Sequence, residues 1–388
     1  MVSEHAAAGG PARAPRSVAL FTLATASVTF TNLATALAKG FRAVGVNEVY
    51  LVQLRPRARD MASDPTVPQG VTRVQLKASH SSGAPLALAR FLRHIQPDLL
   101  IAMPSTPSIA AILAWAVSGR SCKLVVSEHA LMSYESWVEN RRSPKARVLP
   151  YLARWLYPKA SGIHAVSQGV LTDLVERVGV RSDPRTMRVI PNAVDVERVR
   201  ELSHDDPRHP WLSRDRQSAV GVAVGRLVPQ KNYPLLLDAT ERIARRRPFR
   251  LIVLGRGPER DRLLREAQGR GLAVDFRGYE ANPYAYMARA DVFLVASHEE
   301  GFGLGLVEAM ACGIPAISTA TSGSREILCG GAGIIVTPDP GDIADAVLKV
   351  LGDDALRASL KEKGLERAAE FTPQRVAERW LAFAAGLR

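Results

Sequence analysis

Short apolar runs alternate with amphipathic stretches along most of the chain. Residues 18–23, 48–54, 98–103, 123–127, 162–166 and 188–191 are largely apolar and of strand length, while 31–44, 85–95 and 108–117 carry apolar positions at helical spacing. Strands apolar on both faces, each followed by a helix, predict an α/β domain with a doubly wound parallel sheet. A polar passage at 203–210 reads as a linker, and a second series begins at 219. There the strands are expected at 219–224, 250–254, 273–278 and 290–297, with helices over 232–245, from 258 and from about 283. No period of 20–50 residues is present, which excludes a solenoid. A chain of 388 residues exceeds one ordinary core and suits two. The expected division is a loose tail at 1–16, a first domain at 17–192, a second at 193–371 and a last helix at 372–388.

The chemistry concentrates in the second half. Glu300-Gly301-Phe302-Gly303-Leu304 is followed by Glu308-Ala309-Met310, so two carboxylates stand eight positions apart across a glycine-rich loop that runs into a helix. Glycines allow backbone to approach a ligand closely. The free N–H groups and positive dipole end of a helix beginning near Gly303 suit a phosphate. Glu308 then lies about one and a half turns inside the helix, roughly 7 Å along its axis at ~1.5 Å per residue. One elongated nucleotide-sugar can touch both carboxylates, and the preceding strand places the loop at the sheet edge where open α/β folds bind ligands.

Two cations follow another strand. In Gly225-Arg226-Leu227, with Lys231-Asn232 after it, Arg226 offers a bidentate grip on a diphosphate and Lys231 a compact point charge. Gly255-Arg256-Gly257-Pro258 also ends a strand, but Arg260 stands where a dinucleotide fingerprint needs its third glycine.

These segments resemble the retaining family 4 glycosyltransferases, whose GT-B fold sets two Rossmann-like domains face to face. The resemblance covers roughly residues 17–388 and is densest over 219–330. Glu300 and Glu308 match the Glu-x7-Glu signature, which implies that Glu300 lies by the donor sugar, that Glu308 holds the ribose, and that the backbone of Gly301, Phe302, Gly303 and Leu304 meets sugar and phosphate. Gly225, Arg226 and Lys231 match the Gly-Arg-Leu-x-x-x-Lys-Asn element that neutralises the diphosphate. Gly255 and Gly257 match a turn facing the nucleotide, and Tyr279 is a candidate base contact. His129, in Ser127-Glu128-His129 after a strand, matches a histidine that hydrogen-bonds the donor sugar. Val189 to Asp195 is similar to the segment that closes the first domain, and the last helix to the one that returns to it. Many relatives have a Gly-Gly loop after the first strand. This chain has Ala24-Thr25-Ala26-Ser27-Val28-Thr29, so Thr25, Ser27 or Thr29 offers hydroxyls in place of free backbone.

The resemblance implies metal-independent transfer of a sugar from a nucleotide, UDP by family frequency, to a saccharide, lipid-linked or small-molecule hydroxyl, with retention. The nucleotide-sugar is a co-substrate, and neither cofactor nor metal is expected; no Asp-x-Asp motif occurs. Glu300 orients and electrostatically supports the donor sugar without being assigned as a nucleophile.

Composition places the protein rather than its chemistry. Cys122, Cys312 and Cys329 have no paired spacing, which fits a reducing cytoplasm and argues against a disulfide framework or a zinc site. No apolar run approaches the ~18 residues of a membrane span, and residues 1–16 lack a signal peptide's apolar region. Of the net charge of +13, residues 1–192 carry +12. That asymmetry implies an anionic partner for the first half. Its densest piece, residues 141–159, has Arg141, Arg142, Lys145, Arg147, Arg154 and Lys159, no acid, and interleaved Leu149, Tyr151, Leu152, Trp155, Leu156 and Tyr157. A basic helix with aromatics lies in a headgroup layer; alternatively its apolar face packs inside the domain. A nicotinamide oxidoreductase lacks its fingerprint at the first strand. A basic nucleic-acid- or membrane-binding protein leaves the 225–308 constellation unexplained.

Overall fold

The computed structural model describes residues 15–22, 28–54, 67–77, 83–213 and 215–387. The tail at 1–14, residues 24–27 and the side chains of Val28 and Thr29 lie outside the described residues, and with them the hydroxyls expected after the first strand. Pro15 and Arg16 are described, and the Arg16 backbone N–H donates to Asp98 Oδ2 at 2.7 Å.

Two parallel sheets form the frame. The first contains β1 (Ser17–Thr22), β2 (Glu48–Leu54), β3 (Val71–Leu76), β4 (Leu99–Ala102), β5 (Lys123–Glu128), β6 (Gly162–Ala165) and β7 (Met187–Val189) in the order β3-β2-β1-β4-β5-β6-β7. The second contains β8 (Ala219–Val224), β9 (Phe249–Leu254), β10 (Val274–Gly278), β11 (Val292–Val295), β12 (Ala316–Thr319) and β13 (Ile334–Val336) in the order β10-β9-β8-β11-β12-β13. Both orders reverse beside the first strand of their series, β1 against β4 and β8 against β11, and crevices at such reversals receive ligands. Buried strands such as β4, with all four residues inside, explain why the apolar runs were continuous.

β3 was not expected from the sequence. Its Val-Thr-Arg-Val-Gln-Leu pattern mixes polar residues into an edge strand that pairs only with β2, so it lacks the apolar run of a strand buried on both faces. β12 and β13, with helices Pro340–Gly352 and Asp354–Ala368, also lie outside the expected elements, and others differ at their ends: the first helix is Val28–Ala43, and the helix after β9 is Arg260–Gly269.

The two halves share their cores. One cluster joins Leu131, Val166 and Val170 of the first half to Phe302, Leu306, Ile327 and Phe371 of the second. A second packs helix Pro373–Gly386, through Val376, Ala377, Trp380 and Phe383, onto Leu20, Leu37 and Phe41 beneath the first sheet. The return of this helix demands a close approach, since a Cβ on Gly40 would meet the Pro373 carbonyl oxygen at 2.1 Å. Gly40→Ala is therefore expected to destabilise the protein by about 1–3 kcal/mol through overpacking, despite alanine's better helix propensity. Gly386→Ala, whose Cβ meets nothing within 4 Å, is the control and is expected to stay within about 0.5 kcal/mol. Urea unfolding of the two variants checks this.

Candidate active site

The loop after β11 is built to present helix Leu304–Ala311. Gly303 caps that helix with φ 98°, a left-handed conformation suited to glycine, and no side chain takes its first N–H groups. The loop is held from behind. Glu299 Oε1 accepts from the Ser322 backbone N–H at 3.0 Å, and the Glu300 carbonyl accepts from Gly323 N–H at 2.9 Å. Gly323 fits beneath the loop because its Cβ position lies 2.2 Å from the Phe302 carbonyl oxygen. The Phe302 side chain is buried and packs edge-on against Phe371 at 5.7 Å, so this residue faces the cleft by its backbone alone.

The loop after β8 brings the cations. A short turn at Pro229–Lys231, ended by Asn232 in a left-handed conformation, carries Lys231 to Glu300, with which it forms an ion pair. Ser297 Oγ donates to the same Glu300 oxygen, Oε1, at 2.6 Å. The carboxylate is thus held by two donors, which suits an orienting group better than a free nucleophile. The loops are stitched by His298 N–H donating to the Gln230 carbonyl at 2.9 Å and Gln230 Nε2 donating to the Glu299 carbonyl at 3.0 Å. The Arg226 guanidinium is exposed and makes no ion pair or hydrogen bond among the described residues; its charge acts on Glu135 in the other half. Burial pushes the Glu135 carboxyl up, and Arg226 partly offsets this.

Glu308 is half-buried and accepts from Tyr284 Oη at 3.0 Å through Oε1, while Oε2 has no partner among the described residues. Burial raises its pKa and the Tyr284 hydrogen bond opposes that rise. Tyr284 also receives the Cys312 thiol at its carbonyl oxygen, 3.8 Å away. Nothing in the sequence pattern distinguished Tyr284 as the partner of Glu308.

The glycine turn after β9 has an internal purpose. Cβ atoms at Gly255 and Gly257 would fall 1.9 Å from the Gly225 carbonyl oxygen and 2.2 Å from that of Leu227. These glycines let two loops lie backbone to backbone, which fixes the course of the Arg226 loop. Gly225 itself accepts a hydrogen bond from Tyr233 Oη at 3.2 Å. Tyr279 stands half exposed at the surface with the Arg256 guanidinium 5.6 Å over its ring.

The first domain meets this site through His129. A Cβ on Gly301 would lie 2.4 Å from the His129 carbonyl oxygen, so the two sheets' loops touch by backbone here. The His129 ring has partners in its own domain: Nδ1 lies 3.0 Å from Asn192 Oδ1 and Nε2 lies 2.8 Å from Ser127 Oγ, with Phe30 edge-on at 5.3 Å. Burial pushes its pKa down to about 4. The adjacent Glu128 is fully buried, accepts from Tyr157 and, at 2.8 Å, from Ser105, and is pushed up to about 8 by burial. Sequence reasoning passed over Glu128, Ser105 and Tyr157, whose only signal was a carboxylate and a serine at the ends of apolar strands.

A second link crosses between halves. Glu326 Oε1 accepts from the backbone N–H of Gln168 at 2.7 Å, and the Cβ position of Gly169 lies 2.3 Å from Ser322 Cβ.

The basic segment forms helix Pro144–Leu156, capped by Ser143. Only Pro150 and Ala153 of it are buried. Six of the eleven large exposed hydrophobics among the described residues belong to 137–155: Trp137, Val138, Val148, Tyr151, Leu152 and Trp155, the last 71% exposed. Arg141, Arg142, Lys145, Arg147, Arg154 and Lys159 are all exposed beside them. Of the two alternatives, packing of the apolar face into the domain is therefore confined to a narrow strip.

Residues 30–198 match Glycosyltransferase Family 4, and residues 211–367 match Glycosyl transferases group 1. An N-acetylgalactosamine-N,N'-diacetylbacillosaminyl-diphospho-undecaprenol 4-alpha-N-acetylgalactosaminyltransferase of Campylobacter jejuni is 30% identical over 306 residues, spanning 78% of this chain and 80% of that protein. A D-inositol 3-phosphate glycosyltransferase of Geodermatophilus obscurus is 30% identical over 290 residues, spanning 70% and 63%. The fold of Anabaena HepE, crystallised with UDP and glucose, matches with a TM-score of 0.70 at 21% identity, covering 94% of this chain and 98% of that one. Paired Rossmann-like domains, a loop-and-helix site at their junction and a relative matched over most of its length lead to one conclusion: the chain belongs to the family 4 glycosyltransferases and has the GT-B fold.

Proposed function

We propose that this glycosyltransferase moves a hexose or N-acetylhexosamine from UDP to a saccharide hydroxyl on a lipid-linked acceptor, with retention and without a metal. The observation that carries the donor reading is the Lys231–Glu300 pair, set beside the uncapped start of helix Leu304–Ala311 with Arg226 unpaired nearby. As the bond from the anomeric carbon to the diphosphate breaks, negative charge grows on the leaving oxygens. Arg226, Lys231 and the first helical N–H groups stabilise it where it develops, as an oxyanion hole does. Those cations fill the role a divalent ion has elsewhere. The leaving phosphate takes the acceptor proton on the face it vacates, which gives retention. Glu300 orients the donor sugar, and Glu308 holds the ribose through the oxygen that Tyr284 leaves open. His129 of the first domain closes the donor pocket against Gly301 of the second, and Tyr279 meets the base. UDP is supported by the nucleotide bound to the structural neighbour HepE, and a lipid-linked saccharide by the Campylobacter relative.

The exposed aromatic and basic face of helix Pro144–Leu156 supports docking at the inner, anionic surface of a membrane, from which such an acceptor is presented. No helix among the described residues is long and apolar enough to cross a membrane. A soluble small-molecule acceptor is the second reading, and it leaves this face without a purpose. Nucleic acid is not the proposed partner.

Three outcomes test the proposal. A nucleotide-sugar hydrolysis screen identifies the donor, after which Arg226→Ala or Lys231→Ala should each lower kcat/KM by ~10²-fold or more, about 2.7 kcal/mol for loss of one preorganised donor. Wild-type turnover in either folded variant removes the diphosphate clamp. Calorimetry with UDP should show weaker binding for Glu308→Ala, whereas Glu300→Ala should lose transfer more than UDP affinity; normal values for both would remove the signature. In flotation assays, binding should require acidic lipid and weaken with salt, as screening lengths fall from ~10 Å at 0.1 M to ~3 Å at 1 M. At ~1 kcal/mol per basic residue, replacing Arg141, Arg142 and Lys145 with serine should cost roughly two decades of vesicle affinity. Binding that ignores salt or lipid charge excludes the membrane surface.

A further inference from the structure

His129 stands at one end of a hydrogen-bonded series that the transfer chemistry above does not use. Its Nε2 is 2.8 Å from Ser127 Oγ, Ser127 Oγ is 2.7 Å from His164 Nδ1, and His164 Nε2 is 2.7 Å from the Ile190 carbonyl oxygen. Its other nitrogen faces Asn192. Ser127, His164 and Asn192 are buried. A small cavity lined by Leu33, Leu37, Met103 and Trp380 adjoins them, and the Trp380 ring lies 4.4 Å from that of His164.

The direction of every proton follows from one fixed point. A carbonyl oxygen only accepts, so His164 carries its proton on Nε2 and donates to Ile190. Burial holds His164 neutral, with a pKa pushed down to about 3, so its Nδ1 is a bare lone pair. Ser127 must then donate to His164, which leaves the serine oxygen to accept from His129 Nε2–H. His129 is neutral for the same reason, and its Nδ1 is also a lone pair. The oxygen of Asn192 is drawn against that lone pair, and two acceptors do not bond. An amide turned end for end presents its NH2 group there at no steric cost, which completes the series.

We propose that Ser127, His164 and Asn192 are positioning residues that hold His129 as one tautomer, proton on Nε2, in one ring orientation. Both anchors of the series, the Ile190 carbonyl and the Asn192 amide, belong to the segment that leaves the first domain, where Val194 N–H donates to the Phe371 carbonyl at 2.8 Å. The ring at the donor loop is thereby tied to the crossover between domains. The consequence for turnover rests on the placement of His129 at the donor pocket. The tautomer itself does not.

The test reads the ring nitrogens directly. Protein labelled with ¹⁵N-histidine at pH 7.5, with the His129 signals assigned by their loss in His129→Asn, should show His129 protonated on Nε2 and bare on Nδ1. Ser127→Ala should turn this into a mixture of tautomers and lower kcat by about tenfold, equivalent to 1.4 kcal/mol, with UDP affinity unchanged. Asn192→Asp, which puts an obligate acceptor at Nδ1, should move a proton onto that nitrogen; it serves as the second variant if Ser127→Ala does not fold. A wild-type His129 protonated on Nδ1, or an unchanged ring in the folded variants, overturns the proposal. So does a changed tautomer with wild-type kcat on the donor the enzyme uses. If no nucleotide-sugar is turned over by the wild-type protein, the donor reading fails, while the nitrogen spectra still decide the tautomer.

Discussion

The site depends on close approaches between the two domains and behind the loop at 300–303. Gly301 lies against the His129 carbonyl, Gly323 against the Phe302 carbonyl and Gly169 against Ser322, each at a separation that leaves no room for a Cβ. The first two set the loop at 300–303, and the third brings helix Gln168–Thr172 onto helix Ser322–Ile327. Together they stack the first domain's loop on the loop at 300–303, and that loop on helix Ser322–Ile327 behind it. The uncapped turn at Leu304 faces the cleft because its loop is pinned on both sides. The polar links, such as Glu299 to Ser322 and Glu326 to Gln168, then satisfy backbone N–H groups that this crowding would otherwise strand.

Much of the frame was legible in the sequence because buried parallel strands have a simple signature. β4 and β5 are apolar on both faces, and both were expected within two residues of their ends. β3 escaped because an edge strand is half solvated and its Thr72, Arg73 and Gln75 break the run. The loop at 300–303 was legible for another reason: Glu300 and Glu308 lie on one continuous loop and helix, so spacing along the chain is also spacing in space. The partners of those carboxylates were not. Tyr284 is 24 positions from Glu308, and Lys231 is 69 from Glu300. Only the fold brings such pairs together, and a family pattern had already supplied Lys231 but not Tyr284.

The same limit hid the histidine series. Ser127 and His164 are 37 positions apart, and His129 and Asn192 are 63 apart. The one local signal was His164 inside the apolar run Gly162–Ala165, a polar residue where a strand core is expected. A buried polar side chain of that kind has partners in a folded protein. The sequence does not say which. Helix Pro144–Leu156 presented the opposite case, since its composition was plain and its orientation open. Its exposed Tyr151 and Trp155 settle which way the aromatic face turns.

Helix Pro373–Gly386 belongs to the core of the domain from which it is most distant in sequence. During synthesis, the first sheet emerges with Leu20, Leu37 and Phe41 lacking their final cover, and it waits for some two hundred further residues of the second domain before Trp380 and Phe383 arrive. The first domain therefore spends that interval with an open apolar underside. Cutting the chain near residue 193 makes that state permanent, so the two domains are separable as architecture and inseparable as folding units.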